Sequence, residues 1–190
     1  MKRCEINALV REAAVCFAKS GWALPPDPAW DVTDFGLRNW AAHGLVLINL
    51  ANEAEYCEKL MYAKQDMVTP CHCHAKKKED IICRAGRLAL RAWPKRPDKV
   101  AVNTVFAMKI NGTFKDVTAG ELLSLEAGER ITIATGVFHE FSPLSAEAVL
   151  GEVSTVNDDD NDNHFTNSQI GRFPQIDEDE PAIVRLASDQ

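Results

Sequence analysis

Apolar residues recur with a helical period at the start of the chain. Within residues 4–19 they are spaced three and four apart, which is the pattern of one face of an α-helix. The positions are Ile6, Leu9, Val10, Ala13, Ala14 and Phe17. Gly21 follows the last of them, and glycine commonly ends a helix. The pattern therefore predicts an amphipathic helix.

From residue 58 onward the chain changes to short apolar runs separated by turn residues. Typical runs are EDIICRAG, RLALRAWP, RITIATG and EAVLGEVSTV. Many short strands, with no intervening helix long enough for a βαβ unit, predict an antiparallel sandwich or barrel. Residues 23–52 are instead rich in prolines, aromatic residues and turn residues, which indicates an arm containing a short helix or strand. We expect a helical arm over residues 1–50 packed on a barrel domain over residues 51–190, as one structural unit.

Composition and charge narrow the classes of partner. Of the 190 residues, 46% are hydrophobic, which is enough for a sizeable core. The net charge of -7 argues against nucleic acid and anionic membranes as partners, because both require a basic field. A small neutral molecule is the expected partner. The sequence shows neither a secretory signal nor an apolar run of membrane-spanning length, so we expect a cytoplasmic protein whose six cysteines are free thiols.

The first candidate chemistry lies in residues 69–86, TPCHCHAKKKEDIICRAG. In a strand, side chains alternate, so His72 and His74 lie on one face and the neighbouring cysteines on the other. Two imidazoles on one face can reach one metal ion, and a strand after the short turn can bring Glu79 to the same point. A zinc site with thiolate ligands is disfavoured by the same alternation. The remaining alternative is a polar strand whose histidines bind nothing.

A second stretch, GERITIATGVFHEFSP, favours the metal site over the polar strand. Gly128 and Gly136 enclose a strand and a turn, and His139 stands at the start of the next strand. Together with His-x-His-x4-Glu-x6-Gly in the first stretch, this spacing resembles the two motifs of the cupin superfamily. Ala134 and Pro143 stand where that family often has proline and asparagine, and these departures concern turn and packing positions rather than ligands.

The resemblance implies a fold and a metal site. The implied fold is an all-β cupin barrel, that is, an antiparallel double-stranded β-helix or jelly roll, here with an N-terminal helical extension. It also implies a divalent metal held by His72, His74, Glu79 and His139 near the mouth of the barrel. Three imidazoles and one carboxylate suit Mn(II), Fe, Co, Ni or Zn.

Further stretches narrow the resemblance within the cupins. HCHAKKKEDIICRAG, DFGL at residues 34–37, GEVSTVNDDDNDNHF and IGRFPQIDEDEP are similar, across nearly the whole chain, to the D-lyxose isomerase family. That family implies interconversion of D-lyxose and D-xylulose, often with D-mannose and D-fructose as a second pair. It also implies Mn(II) or a related ion as the cofactor. Because cupins commonly pair through their sheets, we expect a homodimer.

An isomerase of this kind needs a base that takes a proton from carbon. Glu152 is the candidate, because it places a carboxylate inside the apolar run AVLGEVST and a buried carboxylate must be paired or functional. A structural salt bridge and an outward-facing position are its alternatives. The resemblance implies that a lysine of the turn at residues 76–78 lies near the metal, although a charge run of this kind is usually a solvated turn. Lys77 is the candidate electrostatic or acid-base partner because it also shares strand parity with Glu79, and Lys76 is the close alternative and a candidate substrate contact. Asp162 and Arg172 are the candidates for binding sugar hydroxyl groups.

Three functions are compatible with these residues. The first is the metal-dependent isomerase of free sugars, with a sugar-phosphate isomerase as a variant that would need a basic phosphate site. The second is another metal-dependent cupin enzyme such as a dioxygenase, which would consume oxygen. The third is a non-catalytic sugar- or metal-binding module, which would bind without turnover. Fold alone does not choose among them.

Overall fold

The computed structural model describes residues 1–155, 157–158, 161–170 and 175–187. The helices are α1 (Arg3–Lys19) and α2 (Trp40–His43). The strands are β1 (Trp30–Thr33), β2 (Leu45–Asn52), β3 (Cys57–Lys64), β4 (Thr69–Cys73), β5 (Glu79–Ala85), β6 (Arg87–Trp93), β7 (Val105–Ile110), β8 (Thr113–Thr118), β9 (Leu123–Glu126), β10 (Arg130–Ile133), β11 (Phe138–Pro143), β12 (Glu147–Ser154) and β13 (His164–Phe165).

The strands form two antiparallel sheets. The larger sheet has the order β1-β2-β3-β12-β5-β10-β7-β8, and the smaller has the order β13-β4-β11-β6-β9. Strand β12 therefore lies between β3 and β5, although more than sixty residues separate it from β5 in the sequence. The antiparallel pairing and the N-terminal helix confirm the predicted fold class.

Helix α1 covers the outer face of the larger sheet. Its apolar stripe is buried as the periodicity predicts, and Phe17 is fully buried. The Phe17 ring stacks on Trp30 of β1 at a centroid distance of 6.2 Å and meets the edge of Tyr62 of β3 at 6.4 Å. After the helix, Gly21 adopts a φ of 80°, a left-handed conformation that glycine takes without steric cost. The helix therefore ends where the sequence predicts.

The arm before residue 51 also contributes strands to the larger sheet. Strand β1 pairs with β2, and β2 pairs with β3, so residues 30–52 extend this sheet by two strands. Strand β2 runs across residue 50, while α1 packs outside the sheet. The division into an arm over 1–50 and a barrel over 51–190 stays a prediction.

The larger sheet has two chemically different faces. Side chains of β1, β2 and β3 that face α1 are apolar, including Val46, Ile48 and Leu60. The opposite face carries Asp31, Thr33, Lys59 and, on β12, Glu152, all of which line an internal cavity. Strand alternation thus separates a hydrophobic packing face from a cavity face that carries polar as well as apolar side chains.

The cysteines and the helices bear on two further expectations from the sequence. All six cysteines are free thiols, as predicted. Among the described residues, neither helix combines the length and apolar character that crossing a bilayer requires.

A candidate metal centre inside the barrel

A cavity of about 220 Å³ lies between the two sheets. One part of its wall carries three histidines with Glu79, Lys77 and Glu152. Other parts are apolar, and their side chains are Phe35, Leu45, Leu47, Met61, Ile81, Phe141, Phe165 and Ile170. The cavity thus combines a small polar cluster with apolar walls, as binding sites for small molecules commonly do.

Strand pairing brings the histidines together. In the antiparallel pair β4–β11, His139 lies directly opposite His72. His74 follows His72 by two positions and points to the same side, and its carbonyl oxygen accepts a hydrogen bond of 2.7 Å from the amide of Gly136. Gly136 has a φ of 78°, so glycine permits the tight turn that leads into β11. Glu79 opens the next strand, β5, after the turn that follows His74.

Each histidine ring is oriented by a backbone carbonyl. The Nδ1 atoms of His72, His74 and His139 lie 2.8, 2.9 and 3.2 Å from the carbonyl oxygens of Pro70, Asp162 and Val137, respectively. Because a carbonyl oxygen only accepts, each Nδ1 carries the hydrogen and each Nε2 keeps a lone pair. This is the arrangement that metal-binding histidines commonly show.

The lone pairs converge on one point. One ligand atom from each of His72, His74, Glu79 and His139 lies within 4.8 Å of all the others, and all four residues are buried. Oε1 of Glu79 is 2.9 Å from Nε2 of His139 and 3.3 Å from Nε2 of His74. Within the described residues, these three atoms are buried without a hydrogen-bond donor. Buried acceptors that face one another repel, and a cation removes the repulsion, so the donor set fits a divalent metal with nitrogen and oxygen ligands.

Burial and the two neighbouring imidazoles favour the neutral form of His72. Burial, together with the neighbouring His139 and His74, holds the pKa of His72 well below its usual value. The neutral imidazole is the form that binds a metal. Burial by itself would raise the pKa of Glu79, but the opposing influences, of which the ammonium group of Lys77 is the largest, outweigh it and keep this pKa low. His72 and Glu79 are thus in their ligating protonation states.

The two cysteines of β4 take no part in the cluster. Cys71 and Cys73 are buried but do not line the cavity, as alternation along the strand requires. Burial raises the pKa of the Cys71 thiol to about 12, so it stays protonated. The geometry therefore offers no thiolate ligand at this site.

A lysine joins the histidine cluster to the candidate base. Nζ of Lys77 lies 2.8 Å from Oε1 of Glu152 and 2.9 Å from Oε2 of Glu79, and all three side chains are buried. Burial by itself would lower the pKa of Lys77, but the carboxylates of Glu152 and Glu79 outweigh it and raise this pKa. Lys77 is therefore the lysine of the turn that the structure brings to the cavity.

A second buried lysine was missed by the sequence analysis. Lys59 lies directly opposite Glu152 in the β3–β12 pair, and its Nζ is 3.6 Å from Oε1 of Glu152. The same Nζ donates to Oδ1 of Asn157 at 3.0 Å. A lysine within the apolar strand CEKLMYAK was the available signal, but only the strand register reveals its partner. Two ammonium groups thus balance two carboxylates.

Three residues were predicted to contact the substrate, and the structure treats each of them differently: one is exposed, one is buried in a turn and one lies outside the described residues. The Lys76 side chain is 65% exposed, with Nζ 3.6 Å from Asp158, and it does not line the cavity. Asp162 is buried, and its carboxylate accepts hydrogen bonds from backbone amides of the β4–β5 turn. Arg172 lies outside the described residues. That these three residues bind substrate stays a prediction.

The sequence is similar to those of known sugar isomerases. The profile of the D-lyxose isomerase family matches residues 27–190. The D-lyxose/D-mannose isomerase of Escherichia coli O157:H7 is 35% identical over 223 aligned positions, covering 100% of this chain and 98% of that protein. The D-lyxose ketol-isomerase of Cohnella laeviribosi is 30% identical, covering 88% of this chain and 93% of its own.

Solved structures share the fold. The structure of L-ribose isomerase from Cellulomonas parahominis without ligand superposes with a TM-score of 0.71 at 18% identity, covering 93% of this chain and 98% of that one. The same enzyme with L-ribose gives a TM-score of 0.70 at 19% identity. At this identity the likeness concerns the fold, and it agrees with the two-sheet barrel described above.

Proposed function

Because the chain belongs to the D-lyxose isomerase family, we propose that this sugar isomerase interconverts D-lyxose and D-xylulose, and also D-mannose and D-fructose, with a divalent metal. One observation carries the proposal. Four converging ligand atoms and a buried carboxylate–ammonium pair, Glu152 with Lys77, line one cavity between the two sheets. An aldose–ketose isomerase needs both a site of positive charge and a base near the same two carbon atoms.

In this proposal His72, His74, Glu79 and His139 hold the metal, with Mn(II) as the first candidate and Zn, Co, Fe or Ni as the others. When bound, the ion supplies the positive charge that stabilises negative charge developing on the oxygens at C1 and C2. The backbone carbonyls behind the three rings keep the ligands in one tautomer and orientation.

Glu152 is the base of the proposed reaction. Its carboxylate removes the proton from C2 of the aldose, the electron pair of that C–H bond forms the C1=C2 double bond, and the π electrons of C1=O1 move onto O1, which gives a cis-enediolate. The carboxylic acid then returns the proton to C1, and a hydroxyl proton moves from O2 to O1. The overall change is a transfer of hydrogens within one molecule, so the reaction requires neither an oxidant nor a reductant.

The lysines serve Glu152 in this scheme. The ammonium group of Lys77 contacts both carboxylates and so fixes their separation, and Lys59 approaches Glu152 from the neighbouring strand. Two carboxylates and two ammonium groups sum to zero net charge. This group of four side chains therefore adds no uncompensated negative charge that would oppose the developing enediolate.

Polar groups on the N-terminal strand are suited to the rest of the sugar. Asp31 and Thr33 of β1 and Asn163 before β13 line the same cavity. Carboxylate, hydroxyl and amide groups are the natural partners of polyol hydroxyls. We infer that these residues contact hydroxyl groups beyond C2, while the apolar walls keep water from the reacting carbons.

The test uses protein stripped of metal and then reloaded with Mn(II). It is incubated in deuterated water with D-lyxose, D-mannose and a panel of sugar phosphates, and the products are followed by NMR. We expect ketose from the two free sugars only when metal is present, with deuterium at C1 where the enediol proton exchanges with solvent.

Other outcomes would identify the competing functions. Turnover restricted to sugar phosphates would replace the free-sugar substrate with a phosphorylated one. Oxygen consumption would indicate a dioxygenase. Bound metal with no turnover of any substrate would indicate a binding module and contradict the proposal. Stripped protein and Mn(II) without protein are the controls.

We also infer a homodimer in the cytoplasm. Strand β8 is an edge strand, and the exposed apolar side chains Phe114 and Val105 lie on the β7–β8 hairpin, with Val102 and Leu122 exposed beside it. Exposed apolar patches on sheet edges commonly mark contacts between chains. Light scattering should give twice the chain mass, and Phe114→Asp should shift it toward the monomer. A wild-type monomer at micromolar concentration would contradict the inference of a dimer.

The proposed cytoplasmic location is supported by the six free thiols, which agree with a reducing compartment.

A further inference from the structure

The carboxylate of Asp162 contacts the turn between β4 and β5. Its side chain is 2% exposed, and its carboxylate accepts hydrogen bonds from three successive backbone amides. Oδ1 lies 2.8 Å from the amide of Ala75 and 3.0 Å from that of Lys76, and Oδ2 lies 3.1 Å from Lys76 and 2.9 Å from Lys77. The carbonyl oxygen of Asp162 accepts from Nδ1 of His74 at 2.9 Å.

Three successive amides directed at one anion form a strong local site. Such a concave arrangement of amides binds negative charge, and hydrogen bonds to a carboxylate are stronger than those between neutral groups. Burial by itself would raise the pKa of Asp162, but the amides of Lys77, Ala75 and Lys76 outweigh it and lower this pKa. The carboxylate therefore stays charged and keeps the turn in one conformation.

The hydrogen bonds of Asp162 fix one residue of the metal cluster, His74, and one residue beside the candidate base, Lys77. The carbonyl of Asp162 orients the ring of His74, whose Nε2 faces Glu79. Its carboxylate fixes the backbone of Lys77, whose Nζ contacts Glu79 and Glu152. More than eighty residues of sequence separate Asp162 from this turn. The contact therefore ties the segment between β12 and β13, which contains Asp158 and Asp162 and which we call the C-terminal loop, to the centre of the barrel.

We propose that Asp162 is a positioning residue that sets the ring of the metal ligand His74 and the ammonium group of Lys77 together. This inference rests on the proposed function. It assigns to one residue of the C-terminal loop the alignment of the metal centre with the base. Binding of a sugar hydroxyl by Asp162, the expectation from sequence, makes a different kinetic prediction and is one outcome of the test.

The first variant is Asp162→Asn, which keeps the shape of the side chain and the main-chain contact to His74. Asparagine offers one acceptor oxygen in place of two, so its NH₂ group faces at least one of the amide N–H groups of the turn, and the support of the Lys77 backbone is weakened. We expect kcat on D-lyxose to fall about 10- to 100-fold, the range typical of residues that orient a metal site. KM for the sugar and the Kd for Mn(II) should change by less than about threefold.

The second variant, Asp162→Ala, removes the carboxylate and frees the loop that carries the carbonyl contact to His74. Here the affinity for Mn(II) should also fall, by about 10- to 100-fold, as measured by competition with a chelator. Asp158→Asn is the matched control, because it removes a negative charge from the same loop without a contact to the cavity. It should resemble wild type in kcat and in Kd for Mn(II).

A double-mutant cycle separates positioning from general stability. If Asp162 acts through Lys77, then Asp162→Asn should cost less than about twofold in kcat when Lys77 is already methionine. Additive losses, or a raised KM with unchanged kcat, would overturn the positioning role, and the raised KM would favour a sugar contact. If Asp162→Asn does not fold by circular dichroism, Asp162→Glu, which keeps the charge but moves the carboxylate, should show the same loss of kcat.

Failure of this inference and failure of the proposed function look different. If wild type turns over D-lyxose and the Asp162 variants have the same kcat as wild type, only the positioning role is overturned. If wild type turned over no sugar, the proposed function would fail, and the fall in Mn(II) affinity of Asp162→Ala would still decide whether Asp162 positions His74.

Discussion

Replacing Glu152 with glutamine should reduce kcat for D-lyxose by about 10²- to 10⁴-fold, the contribution that a general base typically makes. Glutamine has nearly the same shape but cannot accept the proton from C2. The four proposed metal ligands are untouched, so Mn(II) content and affinity should stay near wild type. Steady-state kinetics on D-lyxose and D-mannose, with metal analysis of the same samples, measure both quantities.

The control for this variant is Glu147→Gln on the same strand. Glu147 is exposed and lies at the other end of β12, away from the cavity, so its loss of charge should leave kcat unchanged. Near wild-type activity of Glu152→Gln with metal bound would remove Glu152 as the base. A loss of activity that follows a loss of metal would instead make Glu152 part of the metal site.

Replacing His74 with alanine should abolish both metal binding and turnover. The change removes one of three imidazoles, and it leaves Oε1 of Glu79 with one nitrogen neighbour instead of two. We expect the affinity for Mn(II) to fall by at least about 100-fold, because the loss of a direct ligand exceeds the effect of an orienting residue. Turnover of D-lyxose should fall to the level of the metal-stripped protein.

Thermal unfolding provides a second measurement of the same site. A metal that binds only the folded protein raises Tm, so Mn(II) should raise the Tm of wild type and not that of His74→Ala. His43→Ala is the matched control, because His43 belongs to α2 and does not line the cavity. Retained metal and activity in His74→Ala would contradict the whole assignment of the metal centre.

Local patterns in the sequence predicted much of the fold. Helix α1 was readable because its apolar stripe repeats with a helical period and Gly21 ends it. The antiparallel fold was readable because short strands are separated by turns without crossover helices. Strands β1 and β2 were not resolved within the arm, because prolines and aromatic residues there obscure any alternation.

The candidate metal cluster was predicted by strand alternation and by the resemblance to the cupin motifs, but its surroundings were not. His72 and His74 share a face by alternation, and the motif spacing singles out Glu79 and His139, which the structure brings together. Lys59 could not be predicted, because its partner depends on the pairing of β3 with β12. That register is set by tertiary packing, which no local pattern contains.

The turn after β4 shows the same limit at the scale of one residue. Parity favoured Lys77 over Lys76, and the structure buries Lys77 and exposes Lys76. Parity alone does not decide such a case, since a turn interrupts the alternation of the strand. The contact from Asp162, more than eighty residues away in the sequence, fixes this turn.

The position of β12 between β3 and β5 also sets an order of events during protein synthesis. A nascent chain that ends before residue 147 has both flanking strands but not the one that joins them, and the larger sheet remains in two parts. His139 and the residues of the C-terminal loop emerge from the ribosome in the same late interval. The metal centre therefore assembles only when most of the chain has been translated, and until then its first histidines remain without their partners.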